Sequence, residues 1–144
     1  MTIYAESSAV LAWLFGEPAG MAAQQVLASA NVVYASDLTV IECERALIRA
    51  EAWQRLERAG ARRRLRQLRM TMTQWSLLRM DAGVVERARQ PFPGEPIRTL
   101  DAIHLATCLA VVGYVPEVIL VSLDGRIRTA GRALHLPVLP EVGN

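Results

Sequence analysis

The chain has 144 residues, of which 52% are hydrophobic and 21% charged, and its net charge is +2. That balance excludes a disordered chain and suits one globular domain burying roughly 70% of its extended surface. So small a net charge does not by itself argue for nucleic acid. All 16 basic residues are nevertheless arginine, whose planar fork suits phosphate.

Cys43 and Cys108 stand far apart within apolar helical patterns and lack metal-ligand spacing. Both read as reduced core residues of a cytoplasmic protein. No basic flank with an apolar stretch and cleavage site opens the chain, so no signal peptide is expected. The most apolar region, 102–121, is broken by His104, Gly113, Pro116 and Glu117, and reads as helix, turn and strand rather than a membrane span.

In chain order, residues 2–5 read as a short strand and 7–15 as a helix. Val10, Leu11, Leu14 and Phe15 form its inner stripe, and Gly16 and Pro18 stop it. An alanine-rich helix over 19–29 and a strand over 32–34 follow. Asp37 or Thr39 caps a long helix running to about residue 58, with Gly60 breaking the pattern. A helix over 61–72 precedes a marginal strand at 75–79. Asp81 then caps a short helix to residue 90. The segment PFPGEP has three prolines in six residues and reads as a loop. Thr99 caps a helix through 112, residues 118–123 form a buried strand, 125–134 a last helix, and a short strand lies at Val138. Strands separated by helices predict a single α/β domain, its mainly parallel central sheet of about five strands flanked by helices.

Four acids fall at the ends of these elements. Glu6 follows the first strand, Glu42 lies early in the helix of SDLTVIECERAL, Asp101 leads the apolar helix of RTLDAIHLATCL, and Asp124 follows VILVSL. In an open α/β sheet the carboxyl ends of the strands and the first turns of the following helices share one edge. Acids at helix starts also serve as caps, and each alone has that ordinary role. Together they predict one cleft, where mutual repulsion calls for a divalent cation and phosphodiester hydrolysis becomes the natural chemistry.

Those four motifs, in this order and across nearly the whole chain, resemble the PIN domain, and more narrowly the toxin ribonuclease of a VapBC-type toxin–antitoxin pair. The first is YAESSAVLAWLFGEP, and the fourth is VSLDGRIRTAGRALHLPVL. The resemblance implies a metal-dependent endoribonuclease using Mg²⁺ or Mn²⁺. Glu6, Asp101 and Asp124 would bind metal, and Glu42 would hold a second ion or orient the attacking water. It also implies a homodimer, a cognate antitoxin that often inserts a basic residue into the cleft, and contact with operator DNA only through that antitoxin. Glu6 departs from the family, which usually has aspartate there. The added methylene moves the carboxylate outward, while magnesium demands near-octahedral geometry at about 2.0–2.1 Å. A glutamate would bind through another rotamer or through water, as a tolerated variant favouring manganese.

Ser7, Ser8 and Ser122 lie beside acids and can hydrogen-bond a carboxylate or a bound water, with capping or turn roles as the plainer alternative. His104, three residues after Asp101 in an apolar stripe, reads as a packed and hydrogen-bonded core residue, and His135 as surface. Arg98, Arg126 and Arg128 flank the predicted cleft and are candidates for substrate contact. The run Arg58, Arg62, Arg63, Arg64, Arg66 and Arg69 makes either a solvated face, a phosphate-tracking face or a site for an acidic partner. Trp13, Phe15, Leu47 and Trp53 are core residues by default and otherwise candidates for a groove receiving an amphipathic segment. A receiver-like signalling module would need a lysine near the last strand, and the chain has none. A catalytically weakened PIN-fold binding protein and a DNA nuclease on the same fold are the remaining alternatives.

Overall fold

The computed structural model describes residues 1–142. Its elements run β1 (Thr2–Ala5), α1 (Ser7–Leu14), α2 (Gly20–Ser29), β2 (Val32–Ser36), α3 (Asp37–Ala52), α4 (Arg58–Met72), β3 (Ser76–Leu78), α5 (Ala82–Ala88), α6 (Thr99–Val112), β4 (Val118–Val121), α7 (Gly125–Ala133) and β5 (Val138–Leu139). All strand pairs are parallel, in the order β3-β2-β1-β4-β5. The expected α/β fold with five parallel strands is therefore what forms.

Successive strands step away from β1 in one direction and then restart on its other side at β4. The crevice where strand order reverses is the place where open α/β sheets accept ligands. Ala5 pairs with Val121, so the first residues beyond these two strands, Glu6 and Ser122, emerge side by side.

Two apolar layers cover the sheet. One joins Val10, Leu14, Leu47, Leu68 and Met72 of α1, α3 and α4 to Ile3 and Val33. The other joins Val84, Leu105, Val111 and Ile127 of α5, α6 and α7 to Tyr4 and Leu120. The central strands are apolar on both faces because both are covered. Gly20 lets α2 lie against α1, since a Cβ there would come within 2.2 Å of the Ala12 carbonyl oxygen.

Several boundaries differ from expectation. The third helix ends at Ala52, not near residue 58, because Trp53 caps it and Gln54 turns left-handed at φ 56°. Gly60, expected to break a helix, lies inside α4, which starts at Arg58. Ser36 caps α3 in place of Asp37 or Thr39, accepting the Leu38 amide at 3.0 Å. Thr99 is the first residue of α6, and Arg98 holds the cap position without a side-chain bond. The strand expected over 118–123 stops at Val121, and the marginal strand at 75–79 shrinks to Ser76–Leu78. Cys43 and Cys108 are buried free thiols, His135 is exposed, and no helix among the described residues is long and apolar enough to cross a membrane.

Candidate active site at the β1–β4 switch point

Glu6 follows β1 and caps α1, accepting the Ser8 amide at 3.1 Å. Only 4% exposed, it also accepts the Ser8 hydroxyl at 2.5 Å and the Ser122 hydroxyl at 2.7 Å. Burial pushes its pKa up, opposed by the nearby His104 imidazole and by these serine hydrogen bonds. Ser8 does more than hold Glu6. Its Oγ accepts the amides of Leu123 at 2.8 Å and Asp124 at 3.0 Å, tying the start of α1 to the end of β4.

Glu42, in the second turn of α3, reaches back to the same strand end. Its Oε1 accepts Ser7 Oγ at 2.7 Å and His104 Nε2 at 2.5 Å. Burial works to raise its pKa, but the hydrogen bonds from His104 and Ser7 outweigh it and hold the carboxyl below the usual range. The other nitrogen of His104 lies 2.9 Å from the Tyr4 hydroxyl. His104 is indeed packed and hydrogen-bonded as expected, and its partner is one of the four acids. Tyr4 is a site neighbour that sequence reasoning missed. The available signal was the strand's period of two, which puts Tyr4 on the face of Glu6.

Asp101 and Asp124 occupy the open side. Both are partly exposed, and the carboxylate of Asp101 makes no hydrogen bond among the described residues. Burial first, then the Asp124 charge, raises the Asp101 pKa, while His104, Arg126 and Arg98 oppose that rise. Asp124 caps α7 through one oxygen, Oδ1, which accepts the amides of Arg126 at 2.8 Å and Ile127 at 3.2 Å. The plain capping role and an open carboxylate oxygen thus coexist in one residue.

The expected basic rim divides. Arg98 and Arg126 are exposed and close enough to lower the Asp101 pKa. Arg128 departs from the expected role in substrate contact. It is 3% exposed and donates from one guanidinium nitrogen to the Ser122 carbonyl at 2.6 Å, because the inward face of α7 carries Ile127, Arg128 and Gly131 together. On α4, Arg69 is paired with Glu44 at 2.9 Å and Arg64 donates to the Leu14 carbonyl, whereas Arg58, Arg62, Arg63 and Arg66 are exposed. Leu47 is core as expected, Trp13 and Phe15 are half-buried, and Trp53 is 63% exposed.

Whether these residues suit a cation follows from their chemistry. Carboxylate oxygens are the donors hard divalent ions prefer, and the like-charged Asp101–Asp124 pair is what such an ion would relieve. Glu6 is the more enclosed donor, with Oε2 taken up by two serine hydroxyls and Oε1 accepting only the Ser8 amide. Among the described residues, no three acidic or imidazole side chains converge closely enough to chelate an ion as they stand. The donor set is of the kind a hard divalent cation takes, with Asp101 and Asp124 the residues most open to one.

A parallel sheet with acids at its switch point defines an α/β protein built around an acidic strand-end cleft. Comparison with known proteins narrows this. Residues 3–132 match the PIN domain. The chain is 34% identical to Ribonuclease VapC46 of Mycobacterium tuberculosis over 137 residues, 95% of each protein. It is 37% identical to Ribonuclease VapC35 of the same species over 57 residues, about 40% of each. The chain therefore belongs to the PIN domain family, among its VapC-type members. The fold agrees with M. tuberculosis VapC20, described as a sarcin-ricin loop cleaving toxin, at TM-score 0.63 and 20% identity over 90% of this chain and 95% of that one. It also agrees with VapBC2 of Rickettsia felis, solved bound to a fragment of its promoter DNA, at TM-score 0.65 and 12% identity over 96% and 98% of the two chains.

Proposed function

We propose that this chain is a metal-dependent endoribonuclease that hydrolyses RNA phosphodiesters, the toxin of a type II toxin–antitoxin pair. The observation that carries this reading is the Asp101–Asp124 pair, open and mutually repelling at the switch point of a PIN fold. The 34% identity to a protein named as a ribonuclease, over nearly the whole chain, supports it.

In this reading Asp101 and Asp124 hold Mg²⁺ or Mn²⁺, and Glu6 completes the donor set. Such an ion, when bound, polarises the phosphodiester and lowers the pKa of a coordinated water. The protein's own groups do the rest. Ser8 and Ser122 keep the Glu6 carboxylate aimed along the strand end. Glu42 orients the attacking water through its outer oxygen. Arg98 and Arg126 meet phosphate oxygens at the rim, and the exposed arginines of α4 add sequence-independent attraction. A cognate antitoxin covers the cleft of a cytoplasmic homodimer, and operator DNA is contacted only through that antitoxin. VapBC2 of Rickettsia felis, solved bound to a DNA fragment from its promoter, supports the link to operator DNA.

The test is cleavage of total cellular RNA by purified, antitoxin-free protein with Mg²⁺ or Mn²⁺, against EDTA and Asp101→Asn controls. Discrete fragments that vanish in both controls are expected. Folded protein that cuts nothing with either ion would defeat the reading. The enclosure of Glu6 by three serine donors favours one alternative, a weakened site acting only in binding. Parallel DNA and RNA substrates separate out a DNA nuclease.

A further inference from the structure

We propose that His104 is a positioning residue for Glu42, holding one carboxylate oxygen so that the other is presented to the cleft; the role rests on the ribonuclease reading above. His104 projects from α6 on one side of the sheet and meets Glu42 from α3 on the other side, across the end of β1. Nε2 lies 2.5 Å from Glu42 Oε1, and Ser7 Oγ bonds that same oxygen at 2.7 Å while lying 3.0 Å from Nε2. The second carboxylate oxygen, Oε2, has no hydrogen-bond partner among the described residues and is not buried, and the Glu42 side chain is 27% exposed. One oxygen is thus fastened inside and its twin is left facing outward.

The fastening is itself braced. Nδ1 lies 2.9 Å from the Tyr4 hydroxyl, and the Tyr4 and His104 rings meet edge-on at 67° with centroids 6.2 Å apart. Tyr4 is fully buried and His104 is 1% exposed, so neither ring is free to swing. A carboxylate oxygen cannot accept from a bare nitrogen lone pair, so Nε2 carries a proton in both the neutral and the charged imidazole.

A residue that only filled space here would be served by leucine, as at Leu105. A histidine engaged at both nitrogens does something leucine cannot. Glutamate on a helix surface has several rotatable bonds, and ordering them in advance removes that cost from the reacting state. His104 thus acts on Glu42 as an outer hydrogen-bond partner acts on the side chain it orients, by fixing direction.

The experiment is steady-state cleavage of an RNA substrate by wild type, His104→Ala, His104→Gln, Tyr4→Phe, Glu42→Gln and the His104→Ala/Glu42→Gln double variant. His104→Ala is expected to lower kcat about 10–100-fold, the range typical of such outer partners, with KM little changed. His104→Gln, which restores an N–H near the place of Nε2, is expected to recover most of the loss and also serves if the alanine variant folds poorly. In the Glu42→Gln background, His104→Ala should cost nothing further. Undiminished kcat in His104→Ala, or a fully additive loss in the double variant, overturns the proposal. If wild type cuts no RNA, the ribonuclease reading fails separately. NMR relaxation of the Glu42 side chain then still decides the positioning role. It should be ordered in wild type and mobile in His104→Ala, and equal order in both overturns the proposal.

Discussion

Glu6 and Asp101 stand on the same rim and live in opposite surroundings. Glu6 is enclosed, with its two oxygens shared among three serine donors. Asp101 is partly exposed, has no hydrogen-bond partner among the described residues, and feels the charge of Asp124. Both have raised pKa values with burial as the first cause, yet the compensation differs. At Glu6 the protein supplies hydrogen bonds. At Asp101 the opposition is electrostatic, from His104, Arg126 and Arg98, with no hydrogen bond to its carboxylate among the described residues. One half of the rim is built for stability and the other leaves its repulsion unsettled, which is the state a bound cation would resolve.

The largest expected effect separates the halves most sharply. Asp101→Asn should cut RNA cleavage by at least about a thousandfold, because metal charge stabilisation is worth several kcal/mol. The same change removes the repulsion with Asp124, so thermal unfolding without metal should move upward rather than down. A variant that loses both activity and stability would break the contrast.

The enclosed half should respond the other way. Ser8→Ala strips one donor from a buried carboxylate and also leaves the Leu123 and Asp124 amides without their acceptor. It should cost about 3 kcal/mol in urea unfolding, and Ser122→Ala about 2 kcal/mol. Glu6→Asp draws the carboxylate back from Ser122, so a loss of about 1–2 kcal/mol is expected there. Unchanged stability in Ser8→Ala would show the shell to be dispensable.

The pH dependence sharpens the comparison further. Unfolded carboxylates titrate near about 4. Raised folded values at Glu6 and Asp101 mean that the folded chain binds more protons above that pH, so their contribution to stability falls as pH rises through the folded values. Glu42 runs oppositely, and the stability it contributes is lost as pH falls through its depressed value. Metal-free unfolding followed from about pH 4 upward should therefore show Glu6→Gln/Asp101→Asn gaining on wild type as pH increases. A constant difference would contradict the assignment of both shifts.

The smallest expected effect concerns the rim arginines. Arg126→Ala should raise KM for RNA several-fold and reduce the salt slope of binding by about one. Arg128→Ala should instead show first as lost stability, since its guanidinium is buried against the Ser122 carbonyl. Equal KM effects from the two would erase the distinction between them.

The parts legible in the sequence were those where pattern and chemistry agree. β4 stands out as an unbroken apolar run, and Asp101 as the one acid opening an apolar helix. Other features left no such mark. Gln54 ends α3 through a left-handed backbone that its side chain does not announce. Arg128 sits where chain proximity to Asp124 suggested the cleft, but the inward face of α7 takes it under the sheet's end. His104 was hidden by its neighbours, since an apolar stripe suggests packing and says nothing of what lies beyond it. The convergence of Glu6, Ser8 and Ser122 depends on the Ala5–Val121 register, which is a property of strand pairing across the whole chain.

That pairing also sets when the site can exist. Ser8 and Asp124 are joined by a hydrogen bond spanning 116 positions, and β4 slots in beside β1 only after the elements from β1 to α6 have been made. Contacts so distant along the chain form late, because the loop they close must be ordered first. A partly synthesised molecule therefore carries Glu6 and Glu42 without Asp101 or Asp124. For a protein whose activity would harm the cell that makes it, the order of synthesis delays the assembled cleft until Asp124 and the strand before it have been made.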